Sequence, residues 1–111
     1  MHYVVYFQTI YFAVTGIWPL LHRRSFEAVT GRKTDWWLVE MVGVLTVSIS
    51  AALLYTFLQQ EYLTTKLIGI ASAVSYVFID VKYVLKSVIS KVYLADAAIQ
   101  VLLIILLSLL I

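Results

Sequence analysis

Three carboxylates, Glu40, Asp80 and Asp96, each lie within a long apolar stretch of a chain that has few charges. An ionised acid inside a bilayer costs at least ~2.5 kcal/mol even on insertion scales, so such residues mark ion or proton paths, substrate sites or buried pairs. Like charges brought together need a shared proton, a cation or a basic partner, and Lys82, His22 and Arg23 are the nearest candidates. Helical spacing sets Gly69, Ala73, Tyr76 and Tyr83 on the face of Asp80, and Tyr93 and Gln100 on the face of Asp96. The candidate ion or substrate residues are therefore Asp80, Glu40, Asp96, Tyr76 and His22.

These residues also have plainer readings. Glu40 and Asp96 fall near helix N-termini, where the helix dipole favours an acid and headgroups can keep it wet. Asp80 falls in the C-terminal half of its helix, where the dipole disfavours it, and so carries the stronger functional signal. His22 reads more naturally as an interface anchor than as a ligand.

Other chemistry finds no support. No cysteine is present, and neither His-x3-His nor Glu-x2-His occurs, so no metal site and no cofactor is expected. The only two histidines, His2 and His22, flank the first apolar run. With no Gly-rich phosphate loop and no serine elbow, no catalytic residue is assigned and the reading leans away from an enzyme. Arg23-Arg24 and Arg32-Lys33 suit anionic headgroups better than nucleic acid.

The elements that must position these residues follow from composition. Of 111 residues, 63% are hydrophobic and 13% charged, with a mean hydropathy of +0.98, which is too apolar for a water-soluble domain of this size. A span of ~30 Å of hydrocarbon takes roughly 20 residues, so the chain accommodates about four spans. Their predicted bounds are 3–21, 36–58, 64–85 and 92–111, giving one all-α domain, an integral membrane four-helix antiparallel bundle. The first run lacks a basic leader and a small-residue cleavage site, and reads as a retained helix that Pro19 kinks or loosens near its end. Thr34 or Asp35 is expected to cap the second helix and Thr64 or Thr65 the third. The short link 86–91 predicts a tight hairpin between the last two helices.

Polar residues recur at helical spacing on each span, as a bundle with a polar seam requires. The first helix carries Gln8, Tyr11, Thr15 and His22. On the second, Trp36, Glu40, Gly43, Val47, Ser50 and Ala51 share the expected inner face. Gly69-x3-Ala73 is a small-xxx-small pattern that lets another helix approach and weakly suggests dimerisation.

Orientation follows from the basic residues. Arg23, Arg24, Arg32, Lys33, Lys82, Lys86 and Lys91 cluster at the first and third links, against Lys66 alone on the other side. The positive-inside rule makes those links cytoplasmic and the protein a multi-pass component of a plasma (inner) membrane with both termini extracytoplasmic. Arg23, Arg24, Arg32, Lys33, Trp36 and Trp37 then serve as headgroup or interface anchors, and Glu27 and Asp35 are expected to pair the basic residues in an ordered cap.

The stretch His22-Arg23-Arg24-Ser25-Phe26-Glu27-Ala28-Val29-Thr30-Gly31-Arg32-Lys33-Thr34-Asp35-Trp36-Trp37-Leu38-Val39 resembles one found in small uncharacterised bacterial four-helix membrane proteins. The resemblance covers under a fifth of the chain and implies a bacterial origin and a shared local structure, with no activity attached. Three functions remain. A non-enzymatic homo-oligomeric or accessory subunit of a larger membrane complex ranks first, and because so small a bundle should have little internal volume for a substrate, any transport path would lie between protomers. A proton- or cation-coupled transporter or channel using Glu40, Asp80 and Asp96 ranks second, and a binder or intramembrane enzyme of lipid-like molecules third.

Overall fold

The computed structural model describes residues 3–110, so the predicted chain-end positions His2 and Ile111 lie outside the described residues. It is all-α, with five helices: α1 (Tyr3–Leu21), α2 (Arg23–Thr30), α3 (Trp36–Leu58), α4 (Tyr62–Leu85) and α5 (Tyr93–Leu110). Of these, α1, α3 and α4 are long and apolar enough to cross a membrane, and α5 is a shorter apolar helix.

The first link, expected to be a loop-like cap, instead contains α2. The His22 ring accepts the Ser25 amide at 3.2 Å, which satisfies a free N–H of the first turn. One turn further on, Arg23 Nε donates to Glu27 Oε1 at 3.0 Å, an i,i+4 pair. Gly31, at φ 99°, ends the helix in a conformation that suits glycine and donates its N–H to the Glu27 carbonyl. The caps differ from expectation as well. Asp35 precedes α3 but makes no side-chain capping bond, and it pairs with no basic residue among those described. Helix α4 starts two residues earlier than predicted, behind Glu61, and Thr65 lies inside it, donating to the Glu61 carbonyl at 3.0 Å. Pro19 sits within α1 without breaking it, and the His22 amide still reaches the Trp18 carbonyl at 2.9 Å.

Helix α1 packs chiefly on α3, and α4 chiefly on α5. The first pairing rests on two glycines: a Cβ on Gly43 would stand 2.6 Å from the Gly16 carbonyl oxygen, and one on Gly16 2.8 Å from that of Gly43. No side chain fits between the two backbones there. The Gly69/Ala73 face is buried inside the chain, where a Cβ on Gly69 would meet Gln8 of α1 and Leu107 of α5, each at 2.7 Å. The small-xxx-small pattern thus packs helices of the same chain against one another. Gln8 Nε2 adds a bond to the Gly69 carbonyl at 3.0 Å, and Thr56 and Thr65 pair at 2.8 Å between α3 and α4.

Polar side chains are buried beside an apolar core of Val5, Phe12, Leu53, Leu103 and Leu107, while many large apolar side chains face outward. Gln8, Thr46, Ser50, Thr56, Thr65, Asp80 and Gln100 are buried, whereas Phe7, Ile10, Val14, Ile17 and Leu21 form an exposed stripe along α1. The two basic links meet at one end, where the Lys33 ammonium lies 4.9 Å from the centre of the Tyr93 ring.

Candidate ligand-binding cavity

A cavity of about 680 Å³ opens between α1, α3, α4 and α5, with α2 and the third link at its basic end. Its walls are mainly aliphatic and aromatic, including Phe12, Val39, Val42, Ile79, Val92 and Ile99. A single small bundle was expected to hold little internal volume, and that expectation is corrected. The space exists because Gly16 and Gly43 draw α1 onto α3 while α3 and α4 touch only sparingly.

Polar groups converge in this space from three helices. Tyr11 of α1 donates its hydroxyl to Asp96 Oδ1, to which Gln100 Nε2 also donates, at 3.3 Å and one turn along α5. Asp80 of α4 is an immediate neighbour of Asp96 and is only 5% exposed. Tyr76, one turn before Asp80, shares a hydrogen bond with Thr46 of α3 and meets the Phe12 ring edge-on at 5.3 Å. Two acceptor atoms in this group accept from no donor among the described residues: Asp80 Oδ2 and Gln100 Oε1.

The structure thus brings together Asp80, Asp96 and Tyr76, and leaves out Glu40 and His22. Glu40 is exposed and does not line the cavity. The buried face of α3 runs through Gly43, Thr46, Ser50, Leu53 and Phe57, which traces back to Val39. Glu40 stands one residue on, about 100° around the helix. His22 is exposed, and its ring Nδ1 lies 2.7 Å from Ser25 Oγ, so its role here is to start α2. None of the expected counter-charges reaches the acids. Lys82 lies 5.4 Å from the ring centres of both Phe78 and Tyr83, and Arg23 binds Glu27 and stacks over Trp36 at 4.4 Å. Among the described residues the Arg23–Glu27 pair is the only salt bridge.

Of the expected anchors, Arg24, Arg32 and Trp37 are exposed and Trp36 is half-buried under Arg23. Lys33 donates to the Thr30 carbonyl at 3.0 Å and lines the basic end of the cavity. Glu27 organises this cap: it accepts the Lys33 backbone amide at 2.7 Å, and that bond, reinforced by the Arg23 guanidinium, holds its carboxyl below the usual range.

Tyr11 and Gln100 lie on the polar stripes legible in the sequence, but their convergence on one carboxylate depends on α1 and α5 meeting, which spacing within a helix cannot reveal. Thr46 was not singled out. Its spacing of three from Gly43 was the available signal, weak because a helical threonine commonly bonds its own backbone. Comparison with protein families, curated proteins and solved structures finds no match for this chain.

Proposed function

We propose that this chain is a multi-pass membrane protein that binds an amphipathic small molecule of the bilayer in the cavity between α1, α3, α4 and α5. The observation that carries the reading is the cavity itself. Its volume of about 680 Å³ falls within the ~300–1,000 Å³ usual for small-molecule sites, and it combines apolar walls with a few convergent polar groups. The membrane setting is supported by three spanning-length apolar helices and by the exposed apolar stripe on α1. Helix α5, with 18 residues, rises roughly 27 Å and serves as a fourth, slightly short span. The basic links then face the cytoplasm. A cavity of this volume favours the ligand-binding reading over that of an accessory subunit.

Native mass spectrometry of the protein released from mild detergent tests this reading with a neutral single-chain amphiphile, decanol. One bound molecule per chain is expected, and Ala95→Phe, which fills the cavity wall, abolishes it. Binding at many equivalent sites, unchanged by Ala95→Phe, would contradict it.

A further inference from the structure

The two unpartnered acceptors at the polar end of the cavity specify a ligand more narrowly than its volume does. Asp80 is 5% exposed and Gln100 2%, both line the cavity, and Asp80 Oδ2 and Gln100 Oε1 are acceptors that no donor among the described residues reaches. Asp96 joins the two, as neighbour of Asp80 and acceptor from Gln100. A buried acceptor without a donor is costly, so the partner that suits this site supplies N–H or O–H groups. Charge points the same way. Asp80 and Asp96 sit side by side with no Lys or Arg paired to either among the described residues, and even with one proton shared between them the pair keeps a negative charge, which favours a cation over a neutral donor.

We propose, resting on the binding function above, that the cavity takes a protonated primary-amine amphiphile, with separate N–H groups donated to Asp80 Oδ2 and Gln100 Oε1 and the chain lying along Val42, Ile79 and Ile99. An ammonium carries three donors, as the site needs at least two. A quaternary ammonium has the charge but no donor, and an alcohol has one donor and no charge. Both therefore fit poorly. The same chemistry occurs in a free alkylamine and in the headgroup of phosphatidylethanolamine.

The test is calorimetric titration of the full chain in mild detergent with decylamine, decyltrimethylammonium and decanol, three ligands with one tail. Decylamine is expected to bind at least tenfold more tightly than either of the others. Asp80→Asn and Gln100→Leu should each reduce decylamine binding at least tenfold, with circular dichroism and thermal melting in the same detergent reporting that the variants remain folded, and undiminished decylamine binding by folded variants would overturn the amine site. Vesicle competition identifies the source. Displacement of decylamine by phosphatidylethanolamine but not by phosphatidylcholine assigns the amine to a lipid headgroup, and displacement by neither assigns it to a free amine. Displacement by both overturns the amine site. Equal affinity for the three ligands would overturn the amine assignment and leave the cavity's binding function standing. No binding of any of them would remove both.

Discussion

At the residue scale, Asp80 and Glu27 are the two acids with the clearest consequences. Asp80 has no cationic partner among the described residues, so Asp80→Asn removes a buried acid without stranding a cation. Thermal unfolding in detergent should therefore show stability unchanged within about 1 kcal/mol or slightly raised, whereas a loss of ~3–5 kcal/mol would reveal a buried ion pair. Glu27 behaves differently. Its folded pKa is depressed, by the Lys33 amide first and Arg23 second, so its contribution to the cap is present above the ordinary glutamate range and is lost as pH falls through the lowered value. A carboxyl-shift NMR titration should place its midpoint below that of a free glutamate, and Arg23→Gln should move it part of the way back. A midpoint at the ordinary value would show that the cap does not hold Glu27 as described. Asp80 is buried on the inner face that helical spacing predicts for it. Glu40 is exposed instead of sharing the inner face of α3, because residues three or four apart define a face only to within about 100°, and the partner helix decides which edge of it is buried.

At the element scale, glycines set the arrangement. Gly43→Ala places a methyl against the Gly16 backbone carbonyl, which cannot rotate away, so α1 and α3 must separate at a cost of about 1–3 kcal/mol. Gly69→Ala instead meets the ends of the Gln8 and Leu107 side chains, which can shift, and helix propensity offsets part of the strain. Melting curves should rank Gly43→Ala as clearly the more damaging, and the reverse order would mean that the α1–α3 crossing is looser than described. The sequence marked the three longest helices well because each is a long apolar run, and α1 and α3 coincide with 3–21 and 36–58. It did not reveal α2, whose eight residues are held by local devices, the His22 cap and the Arg23–Glu27 pair, in a segment with no membrane-length apolar run. Nor did it reveal the Gly16/Gly43 contact, since two glycines 27 residues apart carry no pairing signal without the fold.

At the scale of the whole molecule, charge asymmetry and the cavity are the two features from which behaviour follows. Seven of the eight Lys and Arg residues belong to the first and third links with their adjoining helix ends, and contacts such as Lys33 on Tyr93 bring those links to one end. A reporter fused after Ile111 should accordingly read as extracytoplasmic, and a cytoplasmic reading would invert the proposed orientation. Lining the cavity beside Phe26 is Trp18, one of three tryptophans in the chain, which gives a direct optical probe of occupancy. In a Trp36→Phe/Trp37→Phe background reconstituted into vesicles, titration with a bromine-tagged decyl amphiphile should quench Trp18 emission saturably, and Ala95→Phe should remove the saturable component. Quenching that rises without saturation and is identical in both proteins would show that the probe merely partitions into the bilayer, contradicting the claim that this cavity binds a ligand.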